Sequence, residues 1–499
     1  MKTSPWITGG IILLVSLLIV LPQLGHKSLW SDEAYYVKIA RQSPDTVIFA
    51  ARNDFHPPAY LLSQHVVVSL LGDSEFVARL LSAISWVAIV VMTWYWGSTV
   101  IDSRVGWAAG LWAAISFYGL ETACNATSYS FYGALSVASL FAFWWAVEGT
   151  GGLKAWILYA IAQTACVYTH HYGWGTFAAV NLYFLATFKG RLKQWIPWVI
   201  ANVAVLILYL PILGATIAQL TLRIGALAEI RPGGDSLATI GQRLIGVVYH
   251  LGSGYIFHGP GWREVMTNPL FWVTVVVVFA MAVGGVFAII AKRRAALFLG
   301  IFVVVHLVGM IKSQADILSF PNLAPVFGLL AASAAVKWME RRWWIAMIPL
   351  WIVNGVGYGI YASNDAPHIF GITDFRAVAQ RIVAESQPDD VVMTDLRRTG
   401  TAVFEYYYPK KYVARDHFDE YKFEFWVQGV DMGRFQSTTV LKDDLKQTFD
   451  RGASGVWYLI QYGLDKSVLE PMQEARTIYR SDIWSTPETA VAKFYPPGK

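Results

Sequence analysis

The chain has 499 residues, of which 55% are hydrophobic and only 15% charged, and its mean hydropathy is +0.43. A soluble domain carries about 25% charged residues, so this balance excludes an ordinary soluble enzyme and points to a polytopic membrane protein. The 22 Trp and 25 Tyr suit that class because amphipathic rings favour the headgroup zone, and the net charge of +5 fits basic loops better than nucleic-acid binding.

The first apolar segment, Pro5 to Leu24, has spanning length and no small-residue cleavage pattern after it, so it reads as a retained helix. About eleven candidate spans follow from apolar run length, at roughly 5–24, 77–100, 105–120, 129–147, 155–169, 173–188, 195–218, 270–291, 295–311, 318–336 and 343–361. The basic links Lys189-Gly190-Arg191-Leu192-Lys193, Lys292-Arg293-Arg294, and Lys337 with Arg341 and Arg342 follow spans six, eight and ten, so all lie on one side. Lys2, Arg104 and Lys154 fall on that side too. The positive-inside rule makes this side cytoplasmic. The loop 25–76, the turn near 121–128, the loop 219–269 and everything after 362 are then expected outside.

The first outer loop carries "LWSDEAYY" (29–36). Ser31 can cap a helix beginning at Asp32. Asp32 and Glu33 then occupy its first turn, where the helix dipole favours anions, and Tyr36 lies one turn on from Asp32. Good capping chemistry alone would explain such a stretch. "NDFHPPAYLL" (53–62) adds His56 before Pro57-Pro58, at the mouth of a helix expected over 58–71, which is a plausible anion or phosphate site. Arg79, in "SEFVARLLSAI", has Glu75 one turn before it. It either snorkels or meets a lipid phosphate.

His170 and His171, in "YTHHYGWG", end the fifth span on the outer side. A mixed set of His56, His171 and Glu33 could bind a divalent metal, although the spacing is no recognised metal motif. The loop 219–269 contains Arg223, Glu229, Arg231, Arg243, His250, His258 and Arg263, with turn-rich "RPGG" and "HGPGW" that suit a mobile lid. Ordinary loop solvation also accounts for each of those side chains.

The tail, 363–499, is richer in charge. It reads as an amphipathic helix at 374–386, strands at 389–395 and 454–461, and a helix near 465–476. Alternating helix and strand predict a small α/β domain, whose default role is structural or docking. No glycine loop for a nucleotide cofactor is present. Cys124 and Cys166 are too few for a disulfide framework and read as small apolar fillers, a single bridge between them being the alternative.

A first outer loop with "SDEAYY", then "HPPAYLL" and "SEFVARLLSAI", resembles the GT-C superfamily of membrane glycosyltransferases. The similarity is to the glycosyltransferase family 39 type, related to protein O-mannosyltransferases and bacterial aminoarabinose transferases. "YTHHYGW" and "TDFRAVAQRIVAESQPDDVV" match further family habits. The resemblance implies a mainly α transmembrane bundle, 1–362, with a small C-terminal α/β extracytoplasmic domain, 363–499. It implies transfer of a hexosyl or pentosyl unit from a polyprenyl-phosphate sugar to a hydroxyl of a glycan, lipid or protein, with inversion, on the outer face of a bacterial inner membrane.

Asp32 would be the general base on the acceptor hydroxyl. Glu33, Tyr36, His56, Arg79, His170 and His171 would line the substrate site, and His56, Arg79, the 170–171 pair or a metal would stabilise the leaving phosphate. Relatives carry an Arg before a proline-containing last core helix. Here "DILSFPNLAPVFGLL" (316–330) has Ser319 and Phe320 at that point, and Lys312 stands upstream as its substitute. A lipid-linked-sugar transporter and a non-catalytic scaffold are the competing classes. Polar residues collected at span ends rather than at the midplane disfavour transport.

Overall fold

The computed structural model describes residues 5–54, 56–187, 192–230, 236–254, 267, 269–313, 319–363, 374–396, 398–408, 413–414, 441–461, 470–485 and 489–497. The chain divides into two compact units, Met1–His26 with Ile39–Ala366, and Lys27–Lys38 with Pro367–Lys499.

The first unit is a helix bundle. Its helices are α1 (Pro5–Val20), the end of α2 (Ser31–Ala40), α3 (Pro44–Asn53), α4 (Ala59–Leu71), α5 (Glu75–Trp96), α6 (Ser103–Ile115), α7 (Phe117–Ala123), α8 (Ser128–Val147), α9 (Gly152–Thr169), α10 (Gly173–Ala186), α11 (Trp195–Ile230), α12 (Leu237–Ser253), α13 (Pro269–Ile289), α14 (Arg293–Ser313), α15 (Ala324–Met339) and α16 (Trp343–Ala362). Seven helical segments among the described residues are long and apolar enough to cross a membrane. One of them, Pro321–Gly359, joins two of the expected spans. The expected spans 105–120, 155–169 and 173–188 are helices too, but none is among the seven. The 13 residues of α6 rise only ~20 Å, short of a ~30 Å hydrocarbon core.

The core forms where α5, α6, α8 and α15 pack together, with α9 against α8 and α13 against α15. Trp86 and Trp112 are completely buried there. At the α13–α15 crossing, a Cβ on Gly285 would lie 2.2 Å from the Leu330 carbonyl oxygen. Only a residue without a side chain allows that approach, a common device in membrane bundles.

The region 219–269, expected as a loop, is largely helical where described. α11 runs for 36 residues, with Pro211 inside it, and ends just before the "RPGG" stretch. Its length, ~54 Å, exceeds the hydrocarbon thickness, so it continues beyond any span. Next comes α12, capped by Ser236, whose hydroxyl accepts from Thr239 N–H at 3.2 Å, and ended by Gly254 at φ 64°. Arg231, His258 and Arg263 lie outside the described residues, as do the side chains of Arg223 and Glu229.

The second unit contains α17 (Phe375–Glu385), α18 (Arg398–Tyr407), α19 (Leu441–Asp450), α20 (Glu470–Arg476) and five strands: β1 (Val391–Asp395), β2 (Val413–Ala414), β3 (Val456–Gln461), β4 (Ser481–Ser485) and β5 (Thr489–Phe494). Their order in one sheet is β2-β1-β3-β5-β4. β1 pairs parallel with β2 and β3, whereas β5 runs antiparallel to β3 and β4. Val456, Tyr458 and Ile460 alternate onto one face, against Leu441, Leu445 and Ala475 of the helices. The expected α/β tail is therefore observed.

Asp390, just before β1, ties this unit together. It accepts from Gln387 N–H and the Ser454 hydroxyl at 3.0 Å, from Trp457 Nε1 at 3.2 Å, and from Lys493 Nζ at 2.8 Å. Burial alone would raise its carboxyl, but Lys493 and these donors hold it below the ordinary value of 3.8.

Candidate active site

The acidic helix α2 begins at Ser31, one residue earlier than the capping pattern suggests. The side chain of Ser31 lies outside the described residues. Glu33 makes the capping contact instead: its Oε2 accepts from Trp30 N–H at 3.1 Å, the reach-back half of a capping box. Glu33 is fully buried, whereas Asp32 beside it is only partly covered. Two adjacent carboxylates therefore differ in kind. Glu33 completes the helix start, and Asp32 stays in the first turn, where the helix dipole favours its anion. Tyr36 is buried one turn on, its ring edge-on to Tyr35 at 5.6 Å.

This helix is fastened to α18. Leu29 N–H donates to the Tyr407 hydroxyl at 2.7 Å, and Lys38 is ion-paired with Glu405. The Arg376 guanidinium lies over the Tyr407 ring at 6.0 Å. Neither Tyr407 nor Glu405 was singled out from the sequence. The only local signal is the aromatic run "FEYYY" (404–408), and its partner is 378 residues away.

Within the first unit, the structure brings His56 and His170 together, with ring centroids 4.8 Å apart. His56 directly precedes Pro57-Pro58, and α4 begins at Ala59 with Pro58 at the N-cap, as the sequence suggested. Its carbonyl accepts from Gln219 Nε2 of α11 at 3.2 Å. Beside it, Pro57, Pro58, Arg52 and Gln219 line a cavity of about 190 Å³.

His170 is the C-cap of α9 and is buried within a ring of aromatics. Tyr172, Tyr132 and Tyr129 lie at 4.6, 5.2 and 5.8 Å from it, and Phe320 stacks on Tyr172 at 4.4 Å. Its Nδ1 accepts from Tyr172 N–H at 3.2 Å, which puts the proton of the neutral ring on Nε2. His171 is partly covered in the same turn.

A buried polar chain underlies the cluster. Asn322 Nδ2 donates to the Tyr132 hydroxyl and to Ser136 Oγ, each at 3.0 Å. Ser136 and Thr176 hydroxyls lie 2.6 Å apart, and Thr176 Oγ1 is 3.4 Å from His306 Nε2. His306 Nδ1 is 2.8 Å from the Phe302 carbonyl, so that nitrogen carries the proton. The chain then has one consistent direction, from Asn322 to Phe302. None of Asn322, Ser136, Thr176 or His306 was predicted. Small hydroxyls inside an apolar helix carry no periodic signal that separates them from packing residues.

Arg79 is completely buried and donates from Nη1 to the Leu24 carbonyl at 2.8 Å. It therefore does not snorkel; it braces the end of α1 against α5. Lys312 is exposed in the last turn of α14. The neighbouring Ser313 accepts from the Tyr172 hydroxyl at 2.9 Å. Ser319 and Phe320 are buried. Two carboxylates of this unit, Asp54 and Glu121, are buried as well. Asn125 and Thr127 in the turn after α7 are also buried, and neither cysteine is in a disulfide. Among the described residues no three His, Cys, Asp or Glu side chains converge to hold a metal ion.

The family described as dolichyl-phosphate-mannose-protein mannosyltransferase matches residues 55–214, less than half of the chain. No curated protein matches it in sequence. Solved structures match over nearly the whole length. Apo ArnT from Cupriavidus metallidurans superposes with a TM-score of 0.64 at 14% identity, covering 98% of this chain and 97% of that one. ArnT bound to undecaprenyl phosphate gives 0.58 at 14% identity, covering 99% and 98%. The oligosaccharyltransferase AglB from Archaeoglobus fulgidus, with an inhibitory peptide and a dolichol-phosphate, gives 0.53 at 12% identity, covering 97% of this chain and 73% of that one.

Proposed function

We propose that this integral membrane protein of the GT-C glycosyltransferase fold moves a monosaccharide from a polyprenyl-phosphate donor to a hydroxyl acceptor, with inversion. The observation that carries the reading is the division of labour in the first turn of α2. Glu33 accepts from the Trp30 amide, and Asp32, partly covered beside it, is the carboxylate we assign to the substrate. A sugar or protein hydroxyl is a poor nucleophile. Asp32 takes its proton as oxygen attacks the anomeric carbon, and the lipid phosphate leaves from the opposite face.

The leaving phosphate needs hydrogen-bond donors. The imidazoles of His170 and His56, close together in the first unit near the start of α4, are of the right type. The ArnT and AglB structures with polyprenyl phosphates support a donor of that class. The transferred unit is a hexose or a pentose, and the acceptor a glycan, lipid or protein hydroxyl. For the divalent metal that His56, His171 and Glu33 could have bound, no group of three ligating side chains is found among the described residues.

Direction in the membrane follows from charge. The His56–His170 cluster lies at the bundle end opposite Lys154, Arg294 and Lys337, and the positive-inside rule puts those cations in the cytoplasm. The chemistry then faces the periplasm or exterior of a bacterial inner membrane, with the second unit extracytoplasmic.

The test is transfer from a panel of radiolabelled polyprenyl-phosphate sugars to envelope extract, using protein in nanodiscs. Asp32→Asn should lose roughly 10²–10⁴-fold in rate while remaining folded. Transfer by Asp32→Asn at the parental rate, or no donor used at all, would remove the base assignment and favour a transporter or scaffold.

A further inference from the structure

The bundle end that carries the basic links holds a second cavity, at the opposite ends of α8 and α9 from Tyr129 and His170. It measures about 700 Å³, within the usual size of small-molecule sites, and is enclosed by α5, α8, α9 and the start of α14. Its wall is aromatic. The Trp96 ring stacks on Phe141 at 5.5 Å and stands edge-on to Trp144 at 5.5 Å. The rim is apolar and open: Tyr95 is 60% exposed and Trp145 42%, on the surface that faces lipid in a spanning bundle. At the mouth, Arg294 donates from Nη1 to Glu148 Oε2 at 2.7 Å, its side chain still 73% exposed. Lys292 and Arg293 precede it in the same link. The indole Nε1–H of Trp96, itself 2% exposed, has no acceptor among the described residues.

We propose that this groove binds one anionic glycerophospholipid, with an acyl chain along Phe141 and Trp144 and the phosphate on Arg294. A groove open sideways to lipid, with the largely exposed Arg294 guanidinium at its mouth, suits an amphiphile with a negative head. The Trp96 donor identifies which amphiphile. A glycerophospholipid carries ester carbonyls just below its phosphate, acceptors of the kind the buried Trp96 N–H lacks among the described residues. A polyprenyl phosphate has only hydrocarbon there, so the donor substrate fits this groove poorly.

The experiment uses full-length protein in detergent with phosphatidylglycerol bearing a photoreactive acyl chain, and adducts are located by peptide mass spectrometry. Labelling should concentrate on 141–149 and around Trp96. Ala142→Trp, which fills the groove, should cut it about tenfold, and Ala138→Leu should do so in part. Arg294→Gln should erase the preference for phosphatidylglycerol over phosphatidylcholine. Trp96→Phe keeps the wall but should bind ester-linked and ether-linked phosphatidylglycerol equally, where the parent prefers the ester. Label spread evenly over the lipid-facing helices, label unchanged in Ala142→Trp and Ala138→Leu, or displacement more readily by undecaprenyl phosphate than by phosphatidylglycerol would each overturn the assignment. None of these readouts depends on transferase activity.

Discussion

Replacing Tyr407 by Phe removes one oxygen atom and tests whether α18 holds the acidic helix in place. The Tyr407 hydroxyl accepts the Leu29 amide at 2.7 Å, and Leu29 is completely buried. Without the hydroxyl, that amide is left without this acceptor, at a cost of ~1–3 kcal/mol. Each ~1.4 kcal/mol is a factor of ten in an equilibrium. If the start of α2 must be seated for Asp32 to act, the competent fraction falls, and kcat should drop about 5- to 100-fold. KM should stay nearly constant, because no group that would touch the donor has changed. Tyr407→Phe keeps the ring beneath Arg376, so Tyr407→Ala should be clearly worse. The assay is initial-rate transfer at saturating donor, with melting temperature measured on the same preparations. An unchanged kcat in Tyr407→Phe would refute the idea that this contact positions Asp32. So would a rise in KM alone.

The Lys493–Asp390 pair gives a prediction on pH. The folded Asp390 carboxyl is held below 3.8, so its stabilisation is fully present above the unfolded value and is lost as pH falls through the folded one, that is, below about pH 4. Asp390→Asn should flatten the acid limb of a melting-temperature profile, and Lys493→Met, which strands a buried carboxylate, should cost ~3–5 kcal/mol at neutral pH. Gly285→Ala drives a Cβ against the Leu330 carbonyl and should destabilise the bundle by ~1–3 kcal/mol, read as a lower melting temperature or a loss of monodispersity. His56→Ala and His170→Ala should couple in a double-mutant cycle of kcat/KM by ~0.5–3 kcal/mol, whereas strict additivity would mean the two rings act independently.

The sequence makes local features plain and long-range partners invisible. Run length exposes the spanning segments, and the alternation in "SGVWYLIQ" exposes β3 with its register-defining inward residues. Proline chemistry places His56 at the start of α4. The loop expected over 219–269 fails because weight fell on its glycines and prolines, while Ser236 and Gly254 mark the two ends of a helix between them. Arg79 reads as a surface cation from its position near a span end, yet its acceptor, the Leu24 carbonyl, is 55 residues away. The polar chain from Asn322 to His306 joins residues from four segments, and no spacing within any one of them announces it.

The membership of Lys27–Lys38 in the second compact unit has a bearing on how such proteins could be recombined. A chimaera that exchanges only the C-terminal region with that of a relative would break Leu29 from Tyr407 and Lys38 from Glu405. The dozen residues of the first loop and the distant tail form one heritable module written in two places. A working graft must carry both pieces, and substitutions at 29 or 38 should be tolerated only alongside matching changes at 407 or 405.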